Sequence, residues 1–389
     1  MIKGGSAMIY HQFQDIKLSA LGMGTMRLPV IDGKDGNVDV EKAEEMLDIA
    51  YKSGINYFDT AFGYHDGTSE VHVGNFLKKY PRDSFYLATK FPGYDVSNMD
   101  KVEEIFETQL KKLQVEYFDF YLIHNVSEHN VDPYIDPKYG IYEYLLKQKA
   151  NGRIKHLGFS THGTIDTMKK FLAVYGKDME FCMIELNYFD WIFQNAKGKV
   201  ELLNSLNIPI WNMEPVRGGQ LANVKEKYID RLKAIRPNDT PAELAMRFVK
   251  SVKGDTVVLT GSSSKEQMEA NIKVFSDDDY LSEADFAALE EIAKDMIAET
   301  AVPCTACSYC TSHCPMGLNI PEFMRIYNEL NTSGSGDFIG LFSTFALPEG
   351  KKPTNCIGCG SCAKVCPQQI AIPGVIRKIN EKLSANPYA

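Results

Sequence analysis

Four side chains that together can protonate a carbonyl oxygen follow three consecutive apolar runs of this 389-residue chain. Asp59 and Tyr64 follow the first run, Lys90 ends the second and His124 ends the third. A carbonyl group accepts a hydride only if its oxygen gains a proton in the same transition state. An ammonium at Lys90 is expected to lower the pKa of a neighbouring tyrosine, with Asp59 keeping the lysine charged. A neutral His124 would orient the carbonyl, so the pattern favours carbonyl reduction with Tyr64 as the acid.

Each of these residues has a simpler explanation when it is taken alone. An aspartate after a strand is often a helix cap, a tyrosine often packs in a core, and a lysine at a strand end is often solvated. A lone histidine in such a run is more often a satisfied core residue than a catalyst. The placement of all four at the ends of successive strands favours the functional interpretation.

The elements that must position these residues follow a repeat of short apolar runs and amphipathic helical stretches. The helical patterns include Val38–Lys52 and Met99–Leu113. Eight such units predict an α/β fold, a closed (β/α)8 TIM barrel, better than an open doubly wound sheet, and no G-x-G-x-x-G motif opens a helix. Barrel active sites lie at the carboxyl ends of the strands. The predicted strands are Leu18–Gly24, Asn56–Asp59, Phe85–Lys90, Phe118–His124, Ile154–Ser160, Phe181–Asn187, Ile208–Glu214 and Thr256–Gly261.

Length and charge limit the classes of protein and partner. The chain is longer than one compact core usually carries, so one large and one small domain are expected. A net charge of -9 without a basic block argues against nucleic acid or an anionic membrane as partner. The sequence shows neither an apolar stretch of membrane-spanning length nor a secretory signal, so we expect a cytoplasmic protein.

Two further segments bear on the domain organisation. Asn125–Gly140 is rich in Pro and Tyr, and it is either a substrate-side loop or a neutral surface insertion. A helix from Ser282 to about Ala298 is expected to end the barrel, because the composition then changes to Cys, Pro and Gly. The expected domains are residues 8–298 and 299–389.

Eight of the nine cysteines form two copies of C-x2-C-x2-C-x3-C-P. Zinc needs paired ligands and has no use for a third evenly spaced cysteine, whereas this spacing suits 4Fe-4S clusters whose fourth ligand comes from the other motif. The remaining Cys182 is expected to be a small buried hydrophobe. Between the motifs lie a predicted helix, Ile320–Leu330, and a stretch expected to be flexible, Thr332–Lys352. One predicted cluster takes Cys304, Cys307, Cys310 and Cys366, and the other takes Cys356, Cys359, Cys362 and Cys314.

From about Met8 to Phe275 the sequence resembles an aldo-keto reductase, and the cysteine-rich segment resembles the α-helical ferredoxin modules of larger oxidoreductases. The first resemblance implies that Asp59, Tyr64, Lys90 and His124 form a catalytic tetrad and that NAD(P)H lies across the barrel mouth. It is carried by the segments Leu21–Pro29, Phe58–Tyr64, Ala88–Lys90, Asp119–His124, Gly158–Ser160, Met213–Gly219 and Thr260–Asn271.

The resemblance also implies the contacts of the cofactor. Thr161 stands where the family often has Asn, and Met183 stands where it has a carboxamide-binding Gln, unless a shift of two residues places Glu185 there. Gly261 and Gln267 replace the usual Lys and Arg that hold a 2'-phosphate, which leaves Arg217 and Lys265 as substitutes. The implied cofactor-binding residues are Ser160, Met183, Met213, Glu214, Pro215, Arg217, Gly218, Gly219, Gly261, Ser262, Ser263, Gln267 and Asn271.

Two functions remain open at this point. The first is an NAD(P)H-dependent oxidoreductase that interconverts a small carbonyl and an alcohol and carries two 4Fe-4S clusters. Those clusters would exchange electrons with the nicotinamide, serve an electron-transfer protein partner, sense redox state or brace the fold; the sequence shows no flavin site to link single electrons to a hydride. The second is an electron-transfer or redox-sensing protein whose barrel binds a metabolite or nucleotide without turnover.

Overall fold

The computed structural model describes residues 7–304, 308–332 and 338–385. The chain divides into two compact units. The first comprises Met1–Pro215 and Arg236–Phe286, and the second comprises Val216–Ile235 and Ala287–Ala389. This division places 216–235 and 287–298 in the second unit, and the domain boundary between residues 298 and 299 stays a prediction.

The first unit contains a closed barrel of eight parallel strands. Around the barrel the strand order is β10-β3-β4-β5-β6-β7-β8-β9, and an antiparallel hairpin of β1 and β2 precedes it. The predicted (β/α)8 fold is confirmed. The strands are β1 Tyr10–Phe13, β2 Ile16–Ser19, β3 Leu21–Gly24, β4 Tyr57–Asp59, β5 Tyr86–Phe91, β6 Phe118–Val126, β7 Ile154–Thr161, β8 Cys182–Glu185, β9 Ile210–Met213 and β10 Asp255–Thr260.

Helices follow the strands as the apolar periodicity predicts. In the first helix the four apolar residues of one face, Ala43, Met46, Leu47 and Ala50, are all buried. The described helices are α1 Val40–Lys52, α2 Ser69–Leu77, α3 Val102–Leu113, α4 Val131–Ile135, α5 Ile141–Ala150, α6 Ile165–Tyr175, α7 Asp190–Phe193, α8 Ala196–Ser205, α9 Glu226–Ile235, α10 Pro241–Lys250, α11 Lys265–Val274, α12 Glu283–Thr300, α13 Tyr309–Ser312, α14 Ile320–Thr332, α15 Phe338–Phe345, α16 Ser361–Lys364 and α17 Ile372–Ser384.

The β1–β2 hairpin closes the amino end of the barrel, and it corrects the first predicted strand. The predicted strand Leu18–Gly24 is divided in two, because the chain turns between the end of β2 and the start of β3. At this turn the main-chain N–H of Ser19 donates to Asn56 Oδ1 at 2.8 Å. Phe13 and Leu18 enter the barrel core. The same apolar cluster contains Tyr57, Ala88, Phe120, Leu122, Phe181, Met183, Trp211, Val257 and Leu259.

The second unit has a core of its own, built mainly between α14 and α17. Its buried members include Phe323, Ile326, Leu330, Ile376 and Ile379. The prediction that Thr332–Lys352 is flexible is wrong for α15, because Leu341 packs on this core and Gly340 lies against Leu330. Among the described residues of the whole chain, none of the helices has the length and apolar character needed to cross a membrane.

Candidate active site

The carboxyl ends of β4, β5 and β6 bring three of the predicted catalytic side chains and Tyr64 together. Lys90 Nζ lies 2.5 Å from Asp59 Oδ1 and 2.7 Å from the carbonyl oxygen of Thr60. The same nitrogen lies 3.5 Å from the hydroxyl of Tyr64. Lys90 and Asp59 are only 1% and 2% exposed, so the ion pair is fixed inside the barrel while Tyr64 is half-buried.

His124 reaches the site through an irregularity in β6. The register between β6 and β7 shifts between Ile123 and Val126, and Asn125 adopts a left-handed backbone with φ of 53°. A bulge of this kind re-aims a side chain. The hydroxyl of Tyr134 in α4 donates to the carbonyl oxygen of His124 at 2.6 Å. The segment Asn125–Gly140 therefore braces His124, which a neutral surface insertion would not do.

The imidazole of His124 is neutral and is flanked by two tyrosine rings. Its ring centroid lies 6.1 Å from that of Tyr64 and 5.2 Å from that of Tyr94, in edge-to-face arrangements. Burial, with the charge of Lys90 and the nearby His162, holds the pKa of His124 well below 6.5. Its Nδ1 has no hydrogen-bond partner in the part of the chain that the structure describes.

The pKa of Tyr64 corrects an expectation from the sequence. Burial, with the charges of Asp59 and Glu214, raises this pKa well above 10.0, whereas a neighbouring lysine was expected to lower it. Burial is the largest cause and outweighs the stabilisation that Lys90 can give, since the ammonium contacts Asp59 and Thr60 more closely than it contacts the phenol. Tyr64 is therefore fully protonated in the site, which suits a proton donor.

Behind Lys90 lies a buried network that the sequence did not reveal. Glu70 Oε1 accepts from Thr89 Oγ1 at 2.7 Å and from Gln109 Nε2 at 2.8 Å. Gln109 Nε2 also donates to the carbonyl oxygen of Lys90 at 2.9 Å, and Tyr121 donates to Gln109 Oε1 at 2.6 Å. The main chain of Lys90 is thus held by side chains of α2 and α3, which limits the movement of its ammonium.

The loop that carries Tyr64 is anchored by its neighbour His65. The N–H of Leu28 donates to His65 Nε2 at 3.1 Å, so Nδ1 carries the proton and donates to the carbonyl oxygen of Asp35 at 2.8 Å. Beneath the loop, the hydroxyls of Thr60 and Ser69 lie 2.9 Å apart. Tyr64 is therefore presented from a fixed turn.

The barrel has counterparts among known proteins. Residues 20–294 match the Aldo/keto reductase family over most of the chain. The chain belongs to the aldo/keto reductase family. It is therefore an oxidoreductase of that family, as its motifs predicted.

Several relatives of this aldo/keto reductase span the barrel. The NADH-specific methylglyoxal reductase of Escherichia coli K12 is 25% identical over 320 residues, which cover 72% of this chain and 96% of that protein. The holo form of aldo-keto reductase AKR11C1 from Bacillus halodurans has a TM-score of 0.59 at 24% identity, covering 73% of this chain and 96% of that one. An aldo-keto reductase from Klebsiella pneumoniae in complex with NADPH has a TM-score of 0.58 at 19% identity, covering 74% and 95%. These two structures share its fold.

The residues predicted to contact the nicotinamide lie on β7 and β8, with Ser160 near the carboxyl end of β7 and Met183 second in β8. Ser160 Oγ accepts from the N–H of Asn125 at 2.8 Å and keeps its own proton for another acceptor. The hydroxyl of Thr161 is already used inside the protein. It donates to the carbonyl oxygen of Val126 at 2.7 Å and accepts from the N–H of Gly163 at 2.9 Å. Met183 packs in the apolar barrel core, and its contact with the carboxamide stays a prediction.

Glu185 is the better candidate on β8. It lies two residues beyond Met183, on the same face and at the carboxyl end of the strand, and Oε2 is 3.3 Å from His162 Nδ1. It is buried at the mouth of the barrel interior, where it can accept a hydrogen bond from a carboxamide NH2 group. We therefore prefer the alternative assignment with a shift of two residues, which stays a prediction.

The end of β9 carries the next predicted contacts. Met213 is partly buried against the barrel core, and Pro215 is buried. Glu214 adopts a left-handed backbone with φ of 59°, and Asn187 Nδ2 donates to its carbonyl oxygen at 3.0 Å. A residue other than glycine is strained in the left-handed conformation, and such backbone strain is common at functional sites.

Arg27 is a candidate residue that the sequence analysis missed. Its Nη2 lies 3.8 Å from Glu214 Oε1, and its side chain passes within 3.4 Å of where a Cβ on Gly261 would stand. It is half-exposed and follows β3 by three residues, within the Leu21–Pro29 motif. A cation at this position can contact a phosphate, and the motif was the signal that pointed to it.

The loop between β10 and α11 contains the predicted adenosine contacts. Ser262 Oγ lies 2.7 Å from Thr260 Oγ1, and Asn271 Nδ2 donates to Ser262 Oγ at 3.0 Å. Gln267 Oε1 accepts from the N–H of Ser263 at 2.9 Å. These bonds hold Gly261–Ser263 in place before the amino end of α11, where anions bind favourably.

The remaining predicted cofactor contacts, Arg217, Gly218 and Gly219, belong to the second unit. Both glycines have positive φ, 62° and 95°, which suits a tight backbone turn. Arg217 is buried, with Nη2 3.7 Å from Glu329 Oε2 in α14 and Nη1 donating to Gln220 Oε1, and its role as a phosphate contact stays a prediction. Lys265, the other predicted substitute, has its Nζ 4.0 Å from Glu269 Oε1.

The cysteines of the second unit line two cavities. Residues 303–371 match the 4Fe-4S dicluster domain. One cavity is lined by Cys304, Cys310 and Cys366, and Cys307 lies outside the described residues. The other is lined by Cys314, Cys356, Cys359 and Cys362. The cysteines therefore group in the crossed pattern that their spacing predicts.

The arrangement of the described thiols suits a bulky inorganic group. Within the described parts of the chain, no three His, Cys, Asp or Glu side chains converge closely enough to hold a single metal ion. The thiols instead surround a cavity, as ligands of a multi-iron cluster do. Cys182 is fully buried in β8, and burial raises its pKa well above 9.0, as suits a small hydrophobe.

Proposed function

We propose that this protein is a cytoplasmic NAD(P)H-dependent carbonyl reductase with Tyr64 as the proton donor. The observation that carries the proposal is the position of Lys90 Nζ, which contacts both Asp59 and the hydroxyl of Tyr64 at the mouth of the barrel. A small aldehyde or ketone would place its oxygen between Tyr64 and His124. Bound NAD(P)H would supply the hydride to the carbonyl carbon.

The proton transfer follows from the charges around Tyr64. The phenol is protonated before reaction because burial raises its pKa. As the carbonyl is reduced, its oxygen gains negative charge and becomes more basic than a phenolate, so the proton moves from Tyr64 to that oxygen. The ammonium of Lys90 then lies next to the phenolate and stabilises it, while Asp59 keeps the ammonium in position. The neutral His124 donates a hydrogen bond that orients the carbonyl.

The residues of the first unit fit a dinucleotide. Ser160 and Glu185 offer a donor and an acceptor to a carboxamide. The bonded loop Gly261–Ser263, with Gln267 and Asn271, would hold the adenosine end, and Arg27 would contact a phosphate. Met213, Glu214, Pro215, Arg217, Gly218 and Gly219 stay predicted contacts.

We propose NADH as the preferred coenzyme. A preference for NADPH over NADH needs a cation that can contact the 2'-phosphate. Gly261 and Gln267 stand where the family usually has Lys and Arg, and both are uncharged. Each candidate cation already lies near a carboxylate: Arg217 near Glu329, Arg27 near Glu214 and Lys265 near Glu269. The Escherichia coli relative is by name NADH-specific. NADPH is expected to work less well.

The eight cysteines would hold two 4Fe-4S clusters in the crossed sets given above, with Cys307 completing the first. Such clusters carry one electron at a time, whereas a nicotinamide transfers a hydride. Since the sequence shows no flavin site to connect the two, we propose that the clusters exchange electrons with a protein partner rather than with the nicotinamide.

The alternative, a barrel that binds a nucleotide or metabolite without turnover, is less compatible with this geometry. A binding site has no need of a buried ion pair that contacts a tyrosine hydroxyl beside a neutral histidine. Such a pair costs desolvation energy that a binding site would not recover.

Anaerobically purified protein tests this proposal. It would be mixed with NADH or NADPH and a panel of small aldehydes and ketones that includes methylglyoxal, with nicotinamide and cluster absorbance followed together. We expect carbonyl-dependent oxidation of NADH while the cluster absorbance stays constant. Bleaching of the clusters by NADH without substrate would contradict the separate roles, and no oxidation with any carbonyl would favour the non-catalytic alternative.

A further inference from the structure

The two cysteine cavities of the second unit differ at the protein surface. Beside the cavity that contains Cys359, two large apolar side chains are exposed, Ile357 by 63% and Met316 by 37%. Cys359 itself is exposed. The exposed residues that line the other cavity are Ser308, Pro367 and Gln368, and none of its described residues is an exposed large hydrophobic.

The rim of this same cavity is basic. Lys351 Nζ donates to the carbonyl oxygen of Met316 at 2.8 Å, so its charge lies beside a lining residue. Lys364 is exposed at the end of α16, the short helix that contains the lining Cys362. The cysteine loops 314–318 and 356–366 contain no Asp or Glu, although the whole chain has a net charge of -9.

These observations distinguish a docking surface from an ordinary exposed loop. An apolar centre that can be desolvated and a charged rim are the usual parts of a transient protein interface. The positive rim indicates that the partner has a negatively charged surface, because opposite charges accelerate encounter and like charges repel. The cavity beside it would place a redox centre next to the contact.

We propose that the surface formed by Met316, Lys351, Ile357, Cys359 and Lys364 docks an acidic protein that carries a one-electron redox centre near its own surface. The proposal rests on the proposed clusters. In the transfer, the reduced partner loses one electron and the cluster held by Cys314, Cys356, Cys359 and Cys362 gains it; no bond is formed or broken. We call this the lysine-rimmed surface.

A flavodoxin, a small acidic flavoprotein, serves as the probe. Its hydroquinone anion would be mixed anaerobically with the oxidised protein, and the neutral semiquinone formed by loss of one electron would be followed by stopped flow. The test variant is Lys351→Glu with Lys364→Glu. Lys155→Glu with Lys253→Glu is the matched control, since it changes the same charge on exposed residues at the amino ends of barrel strands.

At low ionic strength the test variant is expected to react at least about 10-fold more slowly than the natural protein, and the control within about 2-fold. Added salt should slow the natural protein and leave the test variant nearly unaffected. A separate variant, Ile357→Ser, is expected to react more slowly than the natural protein even at high salt. There the electrostatic steering is screened, while the apolar contact still contributes to binding. Dithionite, which is too small to need the surface, should reduce all variants alike.

The outcomes separate this proposal from the one it rests on. Normal iron content with equal flavodoxin rates in the natural protein and both lysine variants would overturn the lysine-rimmed surface alone. So would an equal loss in the test and control variants. Protein reconstituted with iron and sulfide that shows neither bound iron nor cluster absorbance would overturn the clusters, and with them this surface.

Discussion

The barrel mouth and the cysteine cavities represent two ways of building a reactive site. At the mouth, protein contacts fix each group: Lys90 is held at its ammonium by Asp59 and at its main chain by Gln109. In the second unit the thiols surround cavities, and no three metal-ligand side chains among the described residues converge on one point. The first site is organised by the polypeptide, whereas the described thiols of the second surround a space that a cluster would fill in our proposal.

Removing the clusters should give the largest effect and should separate the two regions. We expect Cys362→Ala to lose bound iron and much of the stability of the second unit, because metal binding contributes on the order of 10 kcal/mol to small metal-dependent domains. The barrel should keep a cooperative unfolding transition. Iron analysis and chemical denaturation followed by circular dichroism would show this. Cys182→Ala, a cysteine outside both cavities, is the control, and equal iron loss there would contradict the assignment.

Breaking the buried ion pair tests how far the barrel mouth is preorganised. Lys90→Met should slow carbonyl reduction by about 10³-fold and destabilise the protein by about 3–5 kcal/mol, because it leaves Asp59 buried without a counter-charge. Adding Asp59→Asn should restore much of the stability without restoring the rate. Steady-state kinetics and urea denaturation would measure both. Recovery of the rate in the double variant would mean that the pair only braces the fold.

A change at the adenosine end should have a smaller effect and concerns specificity. Gln267→Arg places a cation at the amino end of α11, so we expect kcat/KM with NADPH to rise about 10-fold relative to NADH, equivalent to about 1.4 kcal/mol. Gln267→Met, which adds no charge, is the control. An unchanged coenzyme ratio would show that this part of α11 does not meet the 2'-position.

The smallest effect concerns pH. His124 has its pKa well below 6.5 and Tyr64 well above 10.0, so neither group changes charge between these values. The rate is expected to fall at both limits. Below the range His124 becomes protonated, above it Tyr64 becomes ionised, and either change removes the reactive form. We therefore expect kcat/KM for carbonyl reduction to be flat around neutral pH and, within this range, to fall only where Lys90, whose pKa is lowered by burial, loses its charge. A bell-shaped profile centred near neutrality would contradict the assigned protonation states.

The sequence predicted the residues that regular elements position. Strand ends of a closed barrel must meet at one mouth, so Asp59, Lys90 and His124 followed from pattern alone. The even spacing of the cysteines likewise predicted the grouping that the described cavities show. In both cases the chemistry is linked to a local repeat.

What the sequence could not predict depends on packing between distant elements. Glu70 and Gln109 lie on the buried faces of two helices and have no local signature. Met183 and Glu185 share one face of β8, so periodicity cannot say which of them reaches the mouth. The raised pKa of Tyr64 depends on burial, which a motif does not describe.

The most direct test of the account is to remove one hydroxyl from the barrel mouth while leaving the clusters in place. Tyr64→Phe would be compared with Tyr188→Phe, whose buried hydroxyl has no hydrogen-bond partner in the described structure. Single-turnover oxidation of NADH by a carbonyl substrate would be measured under anaerobic conditions with iron content matched. We predict a loss of about 10²–10⁴-fold for Tyr64→Phe and little change for Tyr188→Phe. A full rate in Tyr64→Phe would contradict the central claim that this tyrosine supplies the proton.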